Sequence, residues 1–190
     1  MPRLFIIDIV VTLAVAAGFG WLLTTDFTEA FWASNVSLTW LLIPLWFGWR
    51  LRSPAKGAVW GLAMTWAGLA AYYLPVAGSS YAWDPVGMMF YVRQFGVKYF
   101  ALGALSGPVM GAIGGWWRCR PNLAVPLLIL VLAFSERWAW AWKIGYQPRS
   151  GAFTVEMILG GLLALWMAIW ARRARLRPGR QLWSGGHDIR

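Results

Sequence analysis

Seven acidic residues, one cysteine and one histidine are this 190-residue chain's whole stock of carboxylates, thiols and imidazoles. Glu136 is the most informative of them, because it interrupts an apolar run spanning residues 123–142. At 1.5 Å per helical residue it lies about 20 Å into a bilayer from residue 123, with roughly 10 Å still to cross. Its side chain is too short to snorkel over that distance. An isolated carboxylate at such depth takes up a proton or finds a base. Arg137 is adjacent in sequence but about 100° away around a helix, and Lys143 is on the same face about 10 Å away. Lys98 opens another apolar run at similar depth, roughly 200° from Gly96 and on a face shared with Gln94. It can snorkel outward, or it can pair with Glu136 near Arg137.

Aromatic residues gather around the same half of the chain. Tyr81, Trp83, Phe90 and Tyr91 stand with Asp84 and Arg93, followed by Tyr99 and preceded by Tyr72 and Tyr73. Trp138, Trp140, Trp142 and Tyr146 lie beyond Glu136, and Trp140 shares its helix face. Two readings stand side by side: an interfacial belt, or an aromatic-walled pocket with a carboxylate at its base. The pocket would suit a cationic or flat heteroaromatic ligand. Its candidate residues are Glu136, Lys98, Arg137, Trp140, Tyr99 and Arg93.

Other chemistries lack their parts. Cys119 has no intrachain partner for a disulfide, and His187 sits in a polar tail, so neither a bis-histidine haem nor a His-rich metal site is expected. Ser106 and Ser135 have no membrane histidine to activate them, and the deep carboxylate is single. No enzyme, metal or cofactor is expected.

These side chains must be positioned by membrane helices. The chain is 59% hydrophobic and 13% charged, well off the balance of a soluble domain, and holds 16 Trp and 21 Gly. Six apolar runs, at 4–23, 30–49, 57–77, 94–117, 123–142 and 154–171, predict an all-α polytopic membrane protein. Residues 1–171 form one transmembrane domain in this reading, and 172–190 a basic cytoplasmic tail. Arg3, Arg50, Arg52, Lys56, Arg118, Arg120 and the arginines after residue 171 fall on one side, which places both termini in the cytoplasm. Cleavage of a signal peptide after Ala14-Val15-Ala16 is a rival reading that would leave five spans, against the charge alternation. Asp8 and Glu156 fall in early turns of their helices, Glu156 just after Thr154 as a cap, and both read as structural. The net charge of +10 predicts attraction to anionic lipid at the cytoplasmic face rather than to nucleic acid.

Small residues mark the packing faces. Gly96, Gly103, Gly107, Gly111 and Gly114 form one stripe; Gly57, Gly61 and Gly68 a second; Gly160, Ala164 and Ala168 a third. Each fits packing within the chain or docking to a membrane protein partner.

The segment SNVSLTWLLIPLWFGWRLRSPAKGAVWGLAMTWAGLAAYY, with GALSGPVMGAIGGWWR at 103–118 and the Ser135-Glu136 step, resembles small actinobacterial multi-span proteins grouped as a domain of unknown function. That resemblance implies a membrane location and no known activity. A weaker one is to the substrate-binding S components of energy-coupling-factor vitamin transporters. These have six spans, cytoplasmic termini and an outward pocket, and dock through an Ala-x-x-x-Ala motif. Ala14-x-x-x-Gly18 and Ala16-x-x-x-Gly20 approximate that motif. The expected function is therefore a transport-related binding component in the cell membrane, the alternative a non-catalytic assembly subunit.

Overall fold

A computed structural model of the chain describes residues 2–25, 37–144 and 151–175. It is all-helical, with no strand among the described residues. Helix α1 spans Pro2–Leu22, α2 Ser37–Leu51, α3 Pro54–Ser80 and the short α4 Pro85–Tyr91. A π-helical turn, Val92–Gly96, leads into α5 at Val97–Cys119, followed by α6 at Ala124–Ile144 and α7 at Gly151–Arg175.

Local chemistry sets the boundaries. Ser53 caps α3 by accepting the Lys56 N–H, and Pro54 takes the first helical position, where no N–H is needed. Asp84 does the same for α4, accepting the Gly87 N–H at 2.7 Å ahead of Pro85. Asn122 Oδ1 accepts the Ala124 N–H at the start of α6. Ala82 and Trp83 both take left-handed backbone in the turn between α3 and α4. The Trp83 indole covers Gly78, where a Cβ would run into its ring.

The six long helices fall on the six apolar runs, with three differences. The run expected from residue 30 is helical from Ser37, and 30–36 lie outside the described residues. Helix α7 continues past 171 through Arg172 and Arg173 to Arg175, because Ala and Arg are good helix formers, so the tail begins later than expected. The same helix starts at Gly151, which puts Thr154 and Glu156 inside it. Glu156 is no capped first-turn acid: it is 5% exposed, on the buried stripe with Phe153, Gly160 and Ala164.

Two helices, Phe5–Leu22 and Phe153–Ala174, are long and apolar enough to cross a membrane. Helix α6 holds a shorter apolar stretch, Ala124–Ser135, which ends ahead of Glu136 and Arg137.

Packing divides the helices into two groups. Helices α3 and α2 both pack closely on α5, α1 lies on α3, and α6 pairs with α7. At the α3–α5 crossing glycine meets glycine. A Cβ on Gly111 would strike the carbonyl of Gly57, and one on Gly61 the carbonyl of Gly107. Gly114 is closed in the same way by Leu45 of α2. The stripes read from sequence on α3 and α5 are thus consumed within the chain. The α6–α7 pair joins the rest through α2, in a core where Leu38, Leu45, Met110 and Trp117 meet Ile129, Ala133, Ala164 and Met167.

Candidate functional site

The tyrosines read from sequence as part of a belt are drawn together at the end of the bundle away from the arginines of α2 and α5. Tyr73 of α3 is buried in the middle of the group. Tyr72 packs edge-on against it at 5.1 Å between ring centroids, and Phe100, Tyr99 and Tyr91 surround it at 6.2 to 6.5 Å. The π-helical turn supports this cluster from the side. Its wide winding lets the Val97 N–H reach back to Val92 O, while Phe95 O accepts the Tyr73 hydroxyl at 3.4 Å. Trp66 likewise donates its indole N–H to Phe100 O at 3.1 Å, tying α3 to the start of α5.

Two cavities open on either side of these rings and share Tyr72, Tyr73 and Tyr99 as walls. The inner one, about 340 Å³, reaches between α2, α3 and α5 and is closed by Trp40, Thr65, Leu69 and Ser106. The outer one, about 590 Å³, is more polar, with Thr24, Ser79, Ser80 and Lys98 in its wall. The hydroxyls of Ser79 and Ser80 donate to Val76 O, and that of Thr24 to Trp21 O, so each presents its lone pairs rather than its proton. Burial, with Tyr81 adding to it, pushes the Tyr91 hydroxyl above its ordinary range, which keeps it a neutral donor.

Thr65 stands apart chemically. Its side chain is 5% exposed and belongs to the lining of the inner cavity, while its Oγ1 lies beside Gly107 of α5 and has no hydrogen-bond partner among the described residues. A buried hydroxyl left without a partner is costly.

The sequence-derived site residues divide in two. Tyr99 lines both cavities, and Lys98 lines the outer one, its Nζ 5.0 Å from the Tyr99 ring centroid. Arg93 is exposed on the π-helical turn beside them. The positions of Glu136, Arg137 and Trp140 belong to α6, and their side chains lie outside the described residues. Helices α5 and α6 contribute to one core through Met110 and Trp117 on one side and Val125 and Ile129 on the other. Position 136 lies about one turn beyond Ala133, which contacts Gly160 of α7. The described lining of the two cavities therefore holds a cation and hydroxyls but no carboxylate.

Thr65 was missed by sequence reasoning, although a signal was present. It continues the spacing of Gly57 and Gly61 toward Gly68, on the same face of α3.

No protein-family model, curated protein or solved structure matches this chain.

Proposed function

We propose that the chain is a multi-pass membrane protein that binds a small, flat ligand in the tyrosine-walled cavities, as a transport-related binding component. The membrane part of the reading is supported by what the helices expose. Ile6, Val10 and Val15 of α1, Leu102 and Leu105 of α5, Leu127 and Val131 of α6, and Leu162 and Leu165 of α7 all point outward. A soluble monomer does not leave so much aliphatic surface in water. Six spans with both termini in the cytoplasm follow from the arginine distribution, and set the tyrosine cavities on the outer side.

The observation that carries the ligand reading is the shared ring wall: Tyr72, Tyr73 and Tyr99 line both cavities, with Lys98 in the lining of the outer one. Aromatic walls with a few convergent polar groups are the common composition of small-molecule sites. With Lys98 as the charged group at the mouth, the ligand class is a planar ring bearing a carboxylate or another hydrogen-bonding group. Neither role calls for a catalytic residue. The test is thermal stabilisation of the purified protein by benzoate, nicotinate and indole-3-acetate, against cyclohexylamine as a cationic non-planar control. Stabilisation by the planar acids, reduced in Lys98→Gln and Tyr99→Ala, is the expected result. Equal response in both variants would remove the cavity from consideration.

The assembly-subunit alternative has its own observation. Gly18 of α1 has nothing within 4 Å of the position its Cβ would take, and with Ala14 it lines an open apolar groove between α1 and α3. Co-purification of a stoichiometric membrane partner that Gly18→Leu abolishes would favour that reading.

A further inference from the structure

The opposite end of the bundle carries a second arrangement, built from tryptophan and arginine. Helices α2 and α7 are bridged there by side chains. Trp49 of α2 contacts Trp166 and Trp170 of α7, with ring centroids 6.5 and 6.4 Å away, and Trp46 stacks on Trp49 at 5.1 Å. Beneath this bridge lies an almost wholly apolar slot of about 260 Å³, lined by Leu42, Trp46, Trp49, Leu163, Trp166 and Met167. Its rim residues Trp46 and Trp166 are exposed on the flank of the bundle. Nothing polar could be satisfied inside it, so its natural occupant is hydrocarbon.

Above the slot sits Arg118, its guanidinium carbon 4.4 Å from the centroid of Trp49 and 5.0 Å from that of Trp170. Arg50 is already engaged: it pairs with Asp8 at 2.8 Å and leans on Trp46. Arg118 has no carboxylate partner among the described residues. Burial disfavours its charged form, and the neighbouring Arg52 disfavours it further. Arg52 is held close because its carbonyl accepts the Cys119 thiol, in a left-handed turn between α2 and α3. Trp49 adds a buried indole N–H with no acceptor among the described residues. A guanidinium stacked on the slot's tryptophans, a second positive charge beside it and a hydrocarbon slot thus adjoin, and together they call for an anion carrying an acyl chain.

We propose that this cleft between α2 and α7 binds one anionic phospholipid, its acyl chain in the tryptophan slot and its phosphate on Arg118, with Arg52 beside it. The proposal rests on the membrane reading above but not on the tyrosine cavities. Diffuse attraction of basic residues to a charged surface has no stoichiometry and no dependence on one arginine. This site has both.

The experiment is native mass spectrometry of the full chain released from bilayers of phosphatidylglycerol and phosphatidylcholine in equal parts. One retained phosphatidylglycerol per chain is expected in the wild type. Arg118→Gln should lower its retention about tenfold or more, as befits loss of a charge-assisted contact. Trp166→Ala, at a half-exposed rim position, should lower it as well in protein whose thermal unfolding midpoint matches that of Arg173→Gln. Arg173→Gln, an exposed change of equal charge, should leave it intact. Glycerol 1-phosphate added in excess should not displace the lipid; displacement would show a bare phosphate site and overturn the acyl-chain assignment. Equal retention of phosphatidylcholine, or equal losses in Arg118→Gln and Arg173→Gln, would overturn the proposal. Carbonate extraction separates the two layers of inference. A chain that stays in washed membranes yet shows no lipid preference defeats this proposal alone, whereas release by carbonate defeats the membrane reading and this proposal with it.

Discussion

Gly111 of α5 and Gly57 of α3 meet backbone to backbone, the carbonyl oxygen of Gly57 occupying the place a Cβ of Gly111 would take. Gly107 and Gly61 repeat the contact one turn along. No rotamer change can relieve a clash against a carbonyl, so Gly111→Ala must push the two helices apart. The expected loss of stability is about 2 kcal/mol or more, the upper part of the range for overpacking. Gly18→Ala, where the same methyl enters open space, should be neutral or slightly stabilising. Thermal unfolding of the two variants in one detergent makes the comparison. Equal midpoints would refute the close crossing.

Asp8 and Arg50 join α1 to α2 through a 2.8 Å ion pair, the only one among the described residues, with side chains 18% and 31% exposed. Partial burial gives the pair more weight than a surface bridge, though solvent still screens it. A double-mutant cycle with Asp8→Asn and Arg50→Gln should return a coupling of about 1 kcal/mol. Additive losses would show that the two side chains act independently.

Cys119 is exposed and free at the end of α5, on the arginine-rich side of the bundle. Because it is the chain's single cysteine, the natural sequence already carries its own topology probe. With cytoplasmic termini, a membrane-impermeant maleimide should label inside-out vesicles and leave intact cells unlabelled. Labelling of intact cells would invert the topology and put the tyrosine cavities inside.

Thr65→Val separates stability from binding. Replacing a buried, unpartnered hydroxyl by a methyl of similar shape should leave stability unchanged or raise it by up to about 1 kcal/mol. The same change should reduce stabilisation by the planar acids that occupy the inner cavity. A ligand response unaltered in Thr65→Val would assign the binding to the outer cavity or to none.

The residues that were legible in the sequence were those whose meaning depends on one helix at a time. The stripe from Gly103 to Gly114 faces its neighbours as its spacing requires, and each apolar run holds a long helix. What the sequence did not carry is which helices are neighbours. Lys98 and Glu136 were matched on expected depth alone, and depth along a bilayer normal fixes only one coordinate of three. Glu156 was misplaced for a related reason. Its helix begins earlier than its apolar run, so an acid near the start of the run is a turn further in and on the packed face. The tyrosine cluster was visible as composition alone; its cavities exist only because α3 and α5 lie close enough for Tyr73 and Tyr99 to share a wall.

The glycine crossing also determines how the tyrosine cavities behave before anything enters them. The inner cavity takes its walls from α2, α3 and α5, the helices locked by backbone contact, while the outer one adds Leu23 and Thr24 after α1, Tyr91 of α4 and Phe95 of the π-helical turn. A pocket mounted on such a seam is preorganised. Little ordering entropy is lost on binding, and selectivity is governed by the outline of the ligand rather than by the readiness of the protein to adapt to it.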